Sequence, residues 1–215
     1  VRPRSLETLE DYLDQSFSWR KAELVEVGLT LRLSRGTSAE STLARLGIAL
    51  ACAHWEGFVR DAAQGYLSFV DSRGLTFEQL QTNLRAIALR GRVMAAGRTR
   101  KIRHHLELAE FVVKRIGSVP RFDWKAEIDT ESNLSSTVLR DILDTIGLAY
   151  LAHYELRANF IDRAVLSRRH RVVHGEREPA DADDYANVHS GIASLMETFR
   201  NQITDAATSN LFMDS

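Results

Sequence analysis

Leu166-Ser167-Arg168-Arg169-His170-Arg171-Val172-Val173-His174-Gly175-Glu176 sets three arginines and two histidines at the end of a stretch that otherwise keeps an apolar helical rhythm. Upstream, Leu156, Phe160, Ile161 and Val165 recur at helical steps from about His153, so the spacing predicts a helix that runs into the charged segment. Gly175 is the natural residue to end it, and Pro179 bars simple continuation. On that helix Ile161, Val165, Arg169 and Val172 share one stripe, which gives Arg169 a phase otherwise kept apolar. A guanidinium buried there is costly unless a partner or ligand neutralises it. His174 lies about 140° around an ideal helix from Arg169. The two groups converge only through a bent final turn or a second copy of the chain.

Working outward, every neighbouring segment also reads as helix. Asp181-Ala182-Asp183-Asp184 supplies acids where a helix N-terminus favours them, and Tyr185, Val188, Ile192, Leu195, Phe199 and Ile203 follow at steps of three and four. The tail from Thr208 is expected to fray. Toward the N-terminus, Leu6, Leu9, Leu13, Phe17, Leu24, Val27 and Leu31 predict an amphipathic helix from Ser5 to Leu33, with one gap in its stripe at Arg20. Ala39 to Val70 predicts a second long helix whose glycines and alanines suit close packing. Thr76-Phe77-Glu78-Gln79 has capping-box spacing and opens a helix to about Ala95. Leu106 to Ile116 continues helical, Arg121 to Asn133 reads as a linker, and a helix from Ser136 stops near Gly147. No β alternation, internal repeat or low-complexity tract interrupts this order. The fold class is therefore all-α, a bundle of long antiparallel helices without significant β-sheet, in one domain over residues 1–215.

Composition narrows the function classes only modestly. At 215 residues, with 44% hydrophobic and 27% charged side chains, the chain is long enough for one substantial core or two small ones. Its single cysteine, Cys52, allows no intrachain disulfide and fits a reducing cytoplasm. Val1-Arg2-Pro3-Arg4 carries no apolar run like a signal peptide, and no apolar stretch approaches the roughly 18 residues of a bilayer span. The formal net charge is −1, so any nucleic-acid binding must come from a local patch. One such segment exists. Gln79 to Leu106 contains no Asp or Glu and seven basic residues, Arg85, Arg90, Arg92, Arg98, Arg100, Lys101 and Arg103. It is either a phosphate-contacting surface or a solvated face paired with acids elsewhere.

His170 and His174 have the i, i+4 spacing of zinc ligands on one helix face. Arg171, however, stands where a zinc protease needs its glutamate, and a cation there opposes metal binding, so no metal site is assigned. His104, His105 and His153 lack a partner set, and Cys52 reads as packing. A nucleophile elbow, a phosphate-binding glycine loop and a dinucleotide fingerprint are all absent. In His54-Trp55-Glu56-Gly57-Phe58, Glu56 is either a polar-site residue or a surface carboxylate, and Trp55 is packing.

Arg169-His170-Arg171-Val172-Val173-His174 resembles the R-x4-6-H signature of the HEPN superfamily, with a polar residue directly after the arginine. His54-Trp55-Glu56-Gly57-Phe58 is similar to the first core helix of the MAE-like HEPN subgroup. The resemblance covers most of the chain and is weakest in the Arg-rich middle and around Trp124. It implies a metal-independent and cofactor-free endoribonuclease in which two motifs pair across a homodimer. His174 would transfer protons, Arg169 would bind the scissile phosphate, His170 would orient the pair and Glu56 would support it. Arg168, Arg171, Arg98, Arg100, Lys101 and Arg103 are the expected RNA contacts. Such nucleases include toxins and antiviral effectors, so an antitoxin or defence-system protein is an expected partner. Glu176 stands where toxins silenced by nucleotidyl transfer carry a tyrosine. The alternative is a HEPN-like module that binds RNA, nucleotide or protein without cutting.

Overall fold

A computed structural model of the chain describes residues 2–114, 117–121, 123–131, 133–176 and 179–214. Three long helices form its frame: α1 (Leu6–Leu33), α2 (Glu40–Ser72) and a C-terminal helix (Ala182–Thr208), each packed against the other two. Between α2 and the C-terminal helix lie α3 (Thr82–Gly97), α4 (Ile102–Lys114), α5 (Ser136–Ile146), α6 (Ala152–Asn159) and α7 (Arg168–Val173), which makes the C-terminal helix α8. The segment Phe160–Ser167 joins α6 to α7 as π-helix. Among the described residues there is no strand, only an isolated bridge between Leu80 and Met213, so the architecture is all-α. No described helix is long and apolar enough to cross a membrane.

The local signals place most helix ends. Ser5 caps α1 in a reciprocal box with Thr8, and Asp181 does the same for α8 with Asp184. The α1 stripe Leu9, Leu13, Phe17, Leu24 and Leu31 is buried against α2 and α8. Its expected gap at Arg20 is no gap, because Arg20 is itself buried. Its guanidinium donates to the Ser16 carbonyl at 2.8 Å and to Asp61 at 2.6 Å, and stacks 4.4 Å from the centre of the Trp19 ring. Burial of that charge is tolerated because Asp61, one helix away, neutralises it.

Three expected boundaries move for identifiable reasons. The Thr76–Gln79 box forms but caps a 3-10 turn at Phe77–Gln79, and α3 starts only at Thr82 after extended Leu80 and Gln81. The helix expected from Leu106 begins four residues earlier, and its expected end at Ile116 lies outside the described residues. α4 has no buried residue and packs on α3. The tail beyond Thr208 does not fray. Asn210 takes a left-handed conformation, φ 53°, and turns the chain back. Phe212 is then buried edge-on against Phe69, and the Phe212 carbonyl accepts from Gln81 N. The chain thereby returns to the start of α3.

Candidate active site

The charged segment is carried by one continuous helical rod, α6 to α7, whose middle is wound as π-helix. A π stretch of this length is rare and needs local support. Ser167 Oγ donates to the Asp162 carbonyl at 2.9 Å, and the Cys52 thiol of α2 donates to the Val165 carbonyl at 3.2 Å. Burial pushes the Cys52 thiol up to about 12, against a smaller opposing pull from Arg169, so it remains a neutral donor. Asp162 turns outward from the same stretch and accepts from Ser136 N at 2.8 Å and Ser136 Oγ at 2.7 Å, which ties the π segment to the start of α5. On the opposite side, a Cβ at Gly191 of α8 would overlap the Phe160 ring, so only glycine lets the two approach this closely.

The expected stripe holds through this winding. Ile161 and Val165 are buried, and Arg169, one step further along, is half-buried. The partner that a guanidinium needs in that phase is Glu56. Arg169 Nη1 lies 3.7 Å from Glu56 Oε2 and donates to Asn133 Oδ1 at 3.0 Å. Glu56 is fixed in turn by Thr130, whose hydroxyl donates to Oε1 at 2.8 Å. Both Thr130 and Asn133 come from the segment expected to be a linker. The backbone between them includes Glu131 at φ 52°, a left-handed conformation uncommon for a residue other than glycine and costing about 1–3 kcal/mol. No periodicity marks these two residues in the sequence. The only cue is their position just before Ser135, the N-cap of α5.

The histidines sit on the exposed side. His170 and His174 lie with ring centres 4.2 Å apart and their planes tilted by 52°, and both are exposed. The turn beyond them is a Schellman closure: Glu176 N donates to the Arg171 carbonyl at 2.9 Å, Gly175 N donates to the Val172 carbonyl at 3.2 Å, and Gly175 takes φ 73°. Among the described residues no group of three or more His, Cys, Asp or Glu is placed to hold a metal ion.

The remaining expected site residues divide by location. Arg168 pairs with Asp184 at 2.9 Å and so fastens α7 to the first turn of α8. Arg171 borders a cavity of about 600 Å³ together with Asn133, Arg163, Leu166, Ser167 and His170. Arg98, Arg100 and Lys101 lie on the exposed turn between α3 and α4, and Arg103 lies in the first turn of α4, where it pairs with Glu107 at 3.0 Å. α4 packs on α3, whereas α7 packs on α2 and the π segment, so the basic turn belongs to a different part of the bundle. His54, two residues before Glu56, faces away from the site and meets Glu23 at 2.6 Å. Trp55 is buried, as packing requires.

A sequence model of the MAE_28990-like HEPN family matches residues 9–212. No curated protein and no solved structure matches the chain.

Proposed function

The chain belongs to the MAE_28990-like HEPN family, and from that premise we propose that it is a metal-independent endoribonuclease acting as a homodimer. The observation that carries this reading is Arg169, a half-buried guanidinium held by Glu56 and Asn133 beside two exposed imidazoles. In the proposed reaction His174 takes the proton of a ribose 2′-hydroxyl, and the freed oxygen attacks the adjacent phosphorus. The P–O5′ bond breaks, and a protonated imidazole gives its proton to the leaving 5′-oxygen. The products are a 2′,3′-cyclic phosphate and a 5′-hydroxyl. Arg169 binds the non-bridging oxygens, whose charge rises in the transition state. His170, in tilted contact with His174, orients that ring.

One motif contributes one Arg169 and one His174, and the reaction asks for a base and an acid. A second motif across a twofold supplies the other imidazole. A role as a toxin or defence effector, restrained by an antitoxin or a defence-system protein, is consistent with such a reaction. The test is incubation of the purified chain with single-stranded RNA in EDTA, beside His174→Ala. Cleavage is expected from the wild type alone, and equal cleavage by the variant, or none by the wild type on any RNA, would overturn the proposal. One observation favours a non-cutting RNA-binding module: Arg169 is already engaged by Glu56 and Asn133. That reading expects RNA to bind with a steep salt dependence and stay intact.

A further inference from the structure

The cavity of about 600 Å³ beside Arg169 has a wall chemistry that the cleavage reaction does not use. Asn133 links the two. Its Oδ1 accepts from Arg169 Nη1 at 3.0 Å, and a guanidinium has no acceptor to offer. The amide can therefore face Arg169 only with its oxygen, so its NH2 is turned away from the guanidinium. That NH2 meets no acceptor among the described residues, while Asn133 lines the cavity. Ser167 directs its hydroxyl hydrogen to the Asp162 carbonyl and borders the same space. Arg163 and Arg171 add two guanidiniums to the wall, and among the described residues no carboxylate lines it. Leu166 supplies an apolar surface. His170 supplies an exposed aromatic ring already braced by His174.

We infer that this cavity is a subsite for one unpaired nucleotide flanking the scissile phosphate of single-stranded RNA. The base packs against His170 and Leu166, presents an acceptor on its edge to Asn133 Nδ2, and leaves its phosphate to Arg163. Each part follows from the wall. Stacking needs an aromatic ring with open access, edge reading needs a fixed donor, and phosphate needs a cation. The strand must be single, because a base stacked in a duplex cannot enter such a recess. Asn133 then has two tasks, positioning Arg169 through its oxygen and reading the base through its nitrogen. The inference rests on the ribonuclease reading for its choice of ligand but does not require that cleavage occur.

Asn133→Asp separates the two tasks. It keeps an oxygen for Arg169 and replaces the donor with a negatively charged acceptor. The probes are short single-stranded oligonucleotides of each of the four bases. They carry 2′-fluoro groups so that no 2′-hydroxyl can attack, and binding in EDTA is read by fluorescence anisotropy. The wild type is expected to prefer one base. Asn133→Asp is expected to weaken that base roughly five- to tenfold and to level the four affinities. Leu166→Trp, which fills the cavity, is expected to weaken all four by roughly tenfold. Arg163→Ala, an exposed side chain whose loss does not threaten folding, is expected to weaken all four alike. Circular dichroism melts show that each variant is folded. Wild-type affinity that is absent or equal for all bases, or an unchanged preference in Asn133→Asp, would overturn the subsite. If the blocked probes behave as expected but unblocked RNA stays whole, the ribonuclease reading falls and the subsite stands. If RNA is cut while Asn133→Asp and Leu166→Trp bind as the wild type does, the reverse holds.

Discussion

Replacing Glu56 with glutamine removes the charge facing Arg169 and leaves an oxygen for the Thr130 hydroxyl. The size of the effect can be worked from the pair itself. At 3.7 Å and an effective dielectric constant of about 20, the gross attraction is about 4 kcal/mol. The side chains retain 27% and 15% of their exposure, so solvent screening cuts the net value to about 1 kcal/mol. For a chain of this size that corresponds to a fall in Tm of about 2–4 °C. The cost to catalysis is expected to be far larger. Without that carboxylate Arg169 loses its charged anchor on α2, and misplacement of a phosphate-binding group by about 1 Å can lower kcat on the order of a hundredfold. The assay is a thermal melt beside single-turnover cleavage of a labelled RNA, with RNA affinity measured separately. A loss of more than about 3 kcal/mol in stability, with cleavage per folded molecule intact, would show that the pair is structural and that Glu56 plays no part in the site. Glu56→Ala is a blunter probe, because it also strands the buried Thr130 hydroxyl at a further cost of about 1–3 kcal/mol.

Two further outcomes follow from groups outside the site. Burial lowers His54, helped by Arg20 against the opposing Glu23, and burial also lowers His153 and His189 from the ordinary 6.5, helped by Arg157 and Lys21 respectively. The folded state thus favours neutral imidazole and the unfolded chain binds more protons just below that value, so stability is fully present above 6.5 and falls as pH drops beneath it. Urea midpoints on either side of that pH should show the fall, smaller in His54→Gln, and identical falls in both proteins would contradict it. Phe212→Ala should cost about 3 kcal/mol in urea denaturation, because the ring is buried edge-on against Phe69 with centres 5.8 Å apart. A loss under about 0.5 kcal/mol would mean that the tail contributes nothing.

The legible parts of this chain are those fixed by near neighbours. The Asp181 and Ser5 caps, the stripe of α8 and the left-handed Gly175 each depend on residues within a turn or two, so the sequence carries them openly. The Arg169 phase was legible for the same reason, and with it the demand for a counter-charge. What answers that demand comes from a distance. Glu56 lies on another helix and Asn133 in a segment without periodicity, 36 residues upstream of Arg169. Arg20 reads as a gap because Asp61 is 41 residues away, and the tail reads as frayed because Phe69 and Gln81 lie still further from Phe212 along the chain. The π winding left no trace either, since the step from Ile161 to Val165 fits an α-helix equally well.

The same contacts give the proposed site its physical logic. Glu56 and Asn133 hold the Arg169 guanidinium on the side of α2 and α5, whereas the paired imidazoles lie exposed at the end of α7. In the proposed reaction the scissile phosphate binds at Arg169. Proton transfer at two oxygens on opposite sides of that phosphorus asks for two imidazoles that are far apart. His170 and His174, with ring centres 4.2 Å apart, are too close together to flank it. The second group has to arrive from elsewhere, and another copy of the same exposed helix end is the source that the proposal names. Mixing wild-type with His174→Ala protomers tests this: if each site needs an imidazole from both chains, activity falls as the square of the wild-type fraction, and a fall in simple proportion to that fraction would refute the shared site.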